Sequence, residues 1–165
     1  MKLDLTDLFD NPGISQDFDT KMDLSDVKRW GNPIFGSLVS VKGHVENRSG
    51  IVSIKYAVDF MLQAVCDRCL TDISRQEHME FSHILVFSLN REDDGEFIVI
   101  PDGQLDLAEL TASDILLELP TAMVCDQGCK GLCPICGKNR NLESCNCRQE
   151  KSGRGLEILR DLLDD

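Results

Sequence analysis

The sequence predicts an α+β protein: an antiparallel sheet or open barrel of about five strands, one covering helix, and a Cys-rich C-terminal segment. Three observations predict it. Apolar residues recur with a period of two between Phe35 and Ile100, the stretch from Asp106 to Leu119 has helical character with legible ends, and six of the eight cysteines crowd into Cys125–Cys147. At 165 residues and 42% apolar content the chain can bury one ordinary core. The division expected is a β-rich body over 1–124, with its helix at 106–119, and a Cys-rich appendage with a terminal helix over 125–165.

In the opening MKLDLTDLFD, Leu3 and Leu5 alternate with polar residues, which suits an edge strand ended by Asn11-Pro12-Gly13. The acidic stretch DFDTKMDLSDVKRWGNP reads as a surface loop with one short helical turn, closed by Gly31 and Pro33. Trp30 within it is expected to plug the core, because no further aromatics interleaved with basic residues accompany it to build a base-stacking platform. Val39, Val41 and Val45 then alternate with polar partners, Asn47-Arg48-Ser49-Gly50 supplies a turn, and Val52, Ile54, Tyr56, Val58, Phe60, Leu62 and Ala64 alternate back. This is a hairpin of half-buried strands, and its second arm runs into Cys66.

A third strand is expected over His78–Leu89, with Met79, Phe81, Leu85, Phe87 and Leu89 on one face, and a fourth over Phe97–Ile100 after a turn at 91–95. His83 falls on the apolar face of the third strand, where a lone histidine is expected to be a satisfied core residue rather than a metal ligand; His44 and His78 have weaker claims. The helix is bounded by the capping-box spacing of Asp106 and Glu109 and stopped by Pro120. Its stripe of Leu107, Leu110, Ile115, Leu116 and Leu119 is expected to close the open side of the sheet and to deliver Cys125 to a fixed place.

Net charge is −12 but unevenly placed: residues 1–124 carry 10 basic and 22 acidic side chains, residues 125–155 carry 6 and 3. Such an acidic chain is repelled by a phosphate backbone, which excludes whole-molecule, sequence-independent nucleic-acid binding. It leaves a local basic contact through Lys130, Lys138, Arg140, Arg148, Lys151 and Arg154, or an acidic surface that meets a basic protein. The start has no apolar stretch of signal-peptide or membrane-spanning length, so a cytoplasmic protein without a membrane partner is expected. In a reducing compartment eight clustered thiols favour metal over disulfides.

Structural zinc takes four thiolate or imidazole ligands in a tetrahedron, and a Cys-x2-Cys turn offers two sulfurs on one side. Cys133-Pro134-Ile135-Cys136-Gly137 has this form, with Gly137 free to take a positive φ, and Cys145-Asn146-Cys147 would close the set. Cys66-Asp67-Arg68-Cys69 is a second such turn at a strand end; a redox pair has the same spacing, but usually at a helix start in a βαβ unit. With Cys125 and Cys129 left over, the preferred pairing is a second site from Cys66, Cys69, Cys125 and Cys129 that staples sheet to tail. A single four-cysteine site with four reduced thiols is the competing arrangement, so one or two zinc ions are expected. Cys129-x3-Cys133-x2-Cys136 also has the spacing of a [4Fe–4S] cluster in radical enzymes, but those need a barrel of repeated β/α units that this chain is too short to build.

Cys-Asp-Arg-Cys-Leu at 66–70, Leu119-Pro120, and Cys-x3-Cys-Lys-Gly-Leu-Cys-Pro-x-Cys-Gly-x3-Asn over 125–141, with Cys-x-Cys after it, resemble the YceD-like large ribosomal RNA subunit accumulation proteins of bacteria and plastids. The likeness covers nearly the full chain, including the Leu-rich ending GLEILRDLL. Where family members often show Asp-Pro-Arg before the terminal helix, this chain has Ser152-Gly153-Arg154-Gly155, so Arg154 matches and the proline does not. The resemblance implies a non-enzymatic factor that promotes accumulation or processing of large-subunit (23S) rRNA through pre-ribosomal particles. Some relatives lack the C-terminal cysteines, which implies that metal supports the fold or a partner surface.

No catalytic set accompanies these motifs: the sequence has no Gly-rich phosphate loop, nucleophile elbow or HExxH, and four thiolates leave zinc no place for water. No enzyme and no small-molecule substrate are expected. The alternatives are a zinc-stapled adaptor for a basic ribosomal protein or nuclease without direct RNA contact, and, least favoured, a thiol-disulfide enzyme using Cys66 and Cys69.

Overall fold

The computed structural model describes residues 1–89 and 97–147. In chain order they form β1 (Lys2–Asp4), α1 (Thr6–Asp10), β2 (Ser15–Met22), β3 (Lys28–Arg29), β4 (Asn32–Pro33), β5 (Val39–Arg48), β6 (Ile51–Val65), β7 (Asp72–Val86), β8 (Phe97–Val99), β9 (Gln104–Asp106) and α2 (Leu107–Glu118). The fold is α+β: a five-stranded sheet in the order β2-β5-β6-β7-β8 curls into a half-barrel, and α2 covers it.

The expected hairpin is β5–β6. Ser49 and Gly50 take positive φ of 54° and 86°, the two-residue turn whose twist matches that of the strands. Val39, Val41, Val45, Val52, Ile54, Val58, Phe60 and Leu62 are all buried from it, so one face of this hairpin is the centre of the core. Asn47, read as a turn residue, is itself buried: its amide donates to the Leu8 carbonyl at 2.7 Å, and its side-chain oxygen accepts the Gly50 N–H at 2.9 Å. One side chain therefore anchors both α1 and the turn.

Several expectations are corrected. The acidic stretch holds a full strand, β2, paired with β5 from Ser15↔Glu46 to Met22↔Val39. Phe18 and Met22 face the core while Asp17 and Asp19 face water, so the period of two is present but carried by few apolar residues. Trp30 is no core plug: it is 74% exposed, with the Arg29 guanidinium 4.5 Å from its ring centroid. It occupies the tight β3–β4 turn with φ 50° beside Gly31, and that backbone aims the indole outward.

The third strand starts at Asp72, six residues early, because side chains at its tip, such as Ser74, Arg75 and Gln76, are exposed and show no apolar alternation. The next strand, β8, adds parallel to β7 through Ile84↔Phe97, so the sheet is mixed rather than all antiparallel. The predicted turn at 91–95 and the terminal helix lie outside the described residues.

In α2, Asp106 is the N-cap and accepts the Ala108 and Glu109 N–H groups at 3.0 and 3.4 Å. The buried face is Leu107, Thr111, Asp114 and Ile115, followed by Leu119 in the C-cap, whereas Leu116 and Leu117 face water. Polar bonds set this phase: Asp114 accepts from the Tyr56 hydroxyl and lies 2.7 Å from Nε2 of His83. Burial first, then the Asp114 carboxylate, push the Tyr56 phenol far above its ordinary range, so it stays a donor. His83 is thus spoken for at the sheet–helix interface. No helix among the described residues is long and apolar enough to cross a membrane.

Candidate metal centres

Cys66 and Cys69 sit in the connection between β6 and β7. Its last rung is Cys66 N–H to the Thr71 carbonyl at 2.9 Å, and Leu70 N–H closes on the Cys66 carbonyl at 2.9 Å. The tail reaches this tip by a defined route. Beyond α2, the Arg29 guanidinium holds the Pro120 and Thr121 carbonyls at 2.6 and 2.7 Å. Asp67 then clamps Met123 twice, its N–H donating to the Met123 carbonyl at 2.8 Å and its carboxylate accepting the Met123 N–H at 2.6 Å. Cys125 and Cys129 follow beside the hairpin tip.

The ligand atoms of Cys66, Cys69, Cys125 and Cys129 all lie within 4.8 Å of one another. Sulfurs around a tetrahedral ion with metal–sulfur bonds of about 2.3 Å stand about 3.8 Å apart. The Cys69–Cys125 and Cys66–Cys129 separations of 3.5 and 3.9 Å bracket that value. Three of the four are buried, and the Cys125 N–H points at the Cys66 sulfur at 3.4 Å. A divalent ion fits this donor set.

A second tetrad, Cys133, Cys136, Cys145 and Cys147, meets the same 4.8 Å limit. Gly137 N–H closes on the Cys133 carbonyl at 2.8 Å and Cys133 N–H on the Lys138 carbonyl at 2.8 Å, repeating the first turn bond for bond. Asn139 starts the return, its carbonyl accepting Leu142 and Glu143 N–H at 3.1 and 3.0 Å before the chain reaches Cys145.

The thiols divide into unlike partners. Burial opposes ionisation of Cys66, yet the N–H groups of Cys125, Arg68 and Cys69 outweigh it and bring the thiol down to about 6. Cys125 is pushed up to about 12, first by its hydrogen bond with Cys69 and then by that with Cys129. In the second tetrad the N–H groups of Cys136 and Ile135 hold Cys133 at about 6, while hydrogen bonding to Cys136 pushes Cys147 up to about 12. Each centre pairs a ready thiolate with a thiol that keeps its proton, and a metal ion would displace that proton.

The two turns are stitched together. Arg68 at the hairpin tip accepts the Leu132 N–H on its carbonyl at 2.8 Å, and its guanidinium donates to the Cys129 carbonyl at 3.3 Å. Gly131, with φ 69°, lies so close that a Cβ there would stand 2.9 Å from the Arg68 carbonyl oxygen. Asn139 donates to the Thr71 hydroxyl at 3.3 Å, and Asn141 donates to the Cys129 sulfur at 3.3 Å. Reading the cysteines alone missed both asparagines; the signal available was the Cys-Gly-x3-Asn spacing that ends at Asn141.

Of the six basic residues singled out, Lys130, Lys138 and Arg140 are exposed around the second tetrad. Lys130 and Arg140 line one cavity with Ser144 and Cys147, whereas Lys138 is drawn to Glu143 at 3.0 Å. Arg148, Lys151 and Arg154 lie outside the described residues. His44 and His78 are not in either tetrad, and His78 bonds Asp59 at 2.8 Å.

Comparison with known proteins adds a family. The family described as "Large ribosomal RNA subunit accumulation protein YceD" matches residues 54–163. The uncharacterized protein YlbN of Bacillus subtilis (strain 168) is 25% identical over 166 aligned residues, spanning 99% of this chain and 96% of that protein. The chloroplastic large ribosomal RNA subunit accumulation protein YCED homolog 1 of Arabidopsis thaliana is 32% identical over 61 residues, 37% of this chain and 19% of that one. An uncharacterized protein of Mycobacterium leprae (strain TN) is 29% identical over 122 residues, 71% of this chain and 54% of the relative. No solved structure matches.

Proposed function

The chain belongs to the YceD family of large ribosomal RNA subunit accumulation proteins, and from that membership we propose that it is a non-enzymatic ribosome-biogenesis factor that promotes 23S rRNA accumulation or processing. Two zinc ions serve as its structural staples, one held by Cys66, Cys69, Cys125 and Cys129, the other by Cys133, Cys136, Cys145 and Cys147. The observation that carries the metal reading is that all eight cysteines fall into two four-sulfur clusters. A bound ion would supply a crosslink and a compact charge; four thiolates leave no vacant position for water.

In this reading the appendage over 125–165 is the working end and the body over 1–124 its scaffold. Lys130 and Arg140, with Arg148, Lys151 and Arg154 in the following segment, contact rRNA phosphates on pre-ribosomal large-subunit particles, and the acidic body faces away. The protein works in the cytoplasm. Metal analysis of protein purified without chelator tests the staples, with two zinc ions per chain expected. Alanine at Lys130, Lys138, Arg140, Arg148, Lys151 and Arg154 tests RNA contact: the salt-dependent affinity for rRNA is expected to fall, and an unchanged affinity excludes this patch.

One observation favours a second reading. Lys138 is already paired with Glu143, which thins the basic patch, and the whole chain carries −12. An adaptor that holds a basic ribosomal protein or a nuclease fits that balance. Pull-downs with and without ribonuclease separate the two, because only the adaptor keeps its partner after RNA is digested.

A further inference from the structure

Asn141 lies in the segment between Cys136 and Cys145, within the second tetrad, yet its side chain serves the first. Its Oδ1 accepts the Lys130 N–H at 2.7 Å. A backbone N–H can only donate, so this bond fixes the orientation of the amide and commits Nδ2 to donation. Nδ2 reaches the Cys129 sulfur at 3.3 Å and Asn139 Oδ1 at 2.9 Å. Asn139 in turn donates to the Thr71 hydroxyl at 3.3 Å, and that hydroxyl lies 3.2 Å from the Cys69 sulfur. Two sulfurs of the first tetrad, Cys129 directly and Cys69 through Thr71, are therefore reached by side chains whose placement depends on the loop that the second tetrad closes.

We propose that Asn141 is a positioning residue that couples the two centres, so that metal held by Cys133, Cys136, Cys145 and Cys147 raises the affinity of Cys66, Cys69, Cys125 and Cys129 for their own ion. The coupling rests on the metal reading above. An N–H donor draws charge off a thiolate ligand and fixes its direction; losing such a partner typically costs 10–100-fold in metal affinity. Gathering those four sulfurs closes both ends of the loop that carries Asn141, which adds to the hold of the Lys130 N–H on its side chain and of the Gly131 carbonyl on the Arg140 N–H. Coupling of this kind is reciprocal, so filling the first centre must also tighten the second.

The test uses the full chain titrated with zinc against a chromogenic chelator and, separately, with cobalt(II), whose thiolate-to-metal charge-transfer bands report each tetrathiolate. A chain carrying both Cys136→Ser and Cys147→Ser keeps only the first centre, and its affinity there is expected to drop roughly 10–100-fold relative to wild type. Asn141→Ala in the otherwise intact chain is expected to keep two ions, weaken the first centre by the same factor, and move its charge-transfer band to lower energy. Combining Asn141→Ala with the two serines is expected to add nothing, because both changes remove one hydrogen bond.

Equal losses from the serine pair with and without Asn141 overturn the coupling, as does an Asn141→Ala chain with wild-type affinity and band position. A wild-type chain that binds no metal overturns the metal reading and the coupling together. Two ions with additive effects overturn the coupling alone.

Discussion

Leu70 and Gly137 occupy the same place in two turns of the same shape. Each follows the second cysteine of a Cys-x2-Cys pair, each donates its N–H to the carbonyl of the first cysteine, and each takes a positive φ, 58° and 72°. Only at one of the two did the sequence supply the residue that enters this region freely. The leucine is tolerated at the tip of the long β6–β7 hairpin, where the last rung from Cys66 to Thr71 holds the backbone.

We expect Gly137→Val to destabilise by about 1–2 kcal/mol, the usual cost of a left-handed conformation for a side-chain-bearing residue. Leu70→Gly should change stability by less than about 1 kcal/mol, since relief of strain offsets the added freedom of the unfolded chain. Leu70 is 64% exposed, so little burial is lost. Urea denaturation of the metal-loaded proteins measures both, and equal effects at the two positions would count against a shared geometry.

Metal affinity should rise with pH. Cys125 and Cys147, pushed up to about 12, hold their protons at neutral pH and must release them to ligate. Each such proton contributes about a tenfold gain in apparent affinity per pH unit. Below about pH 6 the Cys66 and Cys133 thiols protonate as well, so the slope should steepen there. Chelator competition between about pH 5.5 and about pH 8, which spans neutrality and the point where Cys66 and Cys133 protonate, checks the sign, and a flat profile contradicts it.

Tyr56→Phe should destabilise by about 1–3 kcal/mol, because it leaves the buried Asp114 carboxylate without its hydroxyl donor. Asp114→Ala should cost more, since it strands both the Tyr56 hydroxyl and the His83 ring nitrogen at the sheet–helix interface. Chemical denaturation of both variants, with metal content held constant, reads the difference.

Gly131→Ala should loosen the stitch between the two turns. Its Cβ would meet the Arg68 carbonyl oxygen at 2.9 Å in a backbone conformation that already disfavours alanine. The Leu132 N–H to Arg68 bond is the expected casualty. Faster exchange of the Leu132 amide with solvent deuterium, with the β5–β6 amides unchanged, is the outcome that checks it.

Asp106→Ala should cost about 1 kcal/mol by removing the acceptor for the first turn of α2. A melting temperature unchanged from wild type would remove the cap from the account of this helix.

How much was legible follows from the range of each interaction. The β5–β6 hairpin could be read because its alternation and its Ser49-Gly50 turn are neighbours in sequence, and the α2 cap because Asp106 and Glu109 are three residues apart. The spacing of Cys133 and Cys136 likewise specifies a turn within four residues. β2 is not legible because Phe18 and Met22 are too few to mark a face among aspartates, and the α2 stripe holds at Leu107, Leu110, Ile115 and Leu119 but not at Leu116, because Thr111 and Asp114 also point inward.

Neighbouring residues suffice to specify the local pieces: strand alternation, turn chemistry, the helix limits and the thiol-bearing turns. Tertiary structure alone decided that Cys66 stands 3.9 Å from Cys129 across 63 residues, that β8 runs parallel to β7, and that Trp30 faces water. The physical reason is that a turn is set by the φ preferences of adjacent residues, whereas a long-range contact forms only when burial and hydrogen bonds across the whole sheet outweigh the entropy of closing the chain.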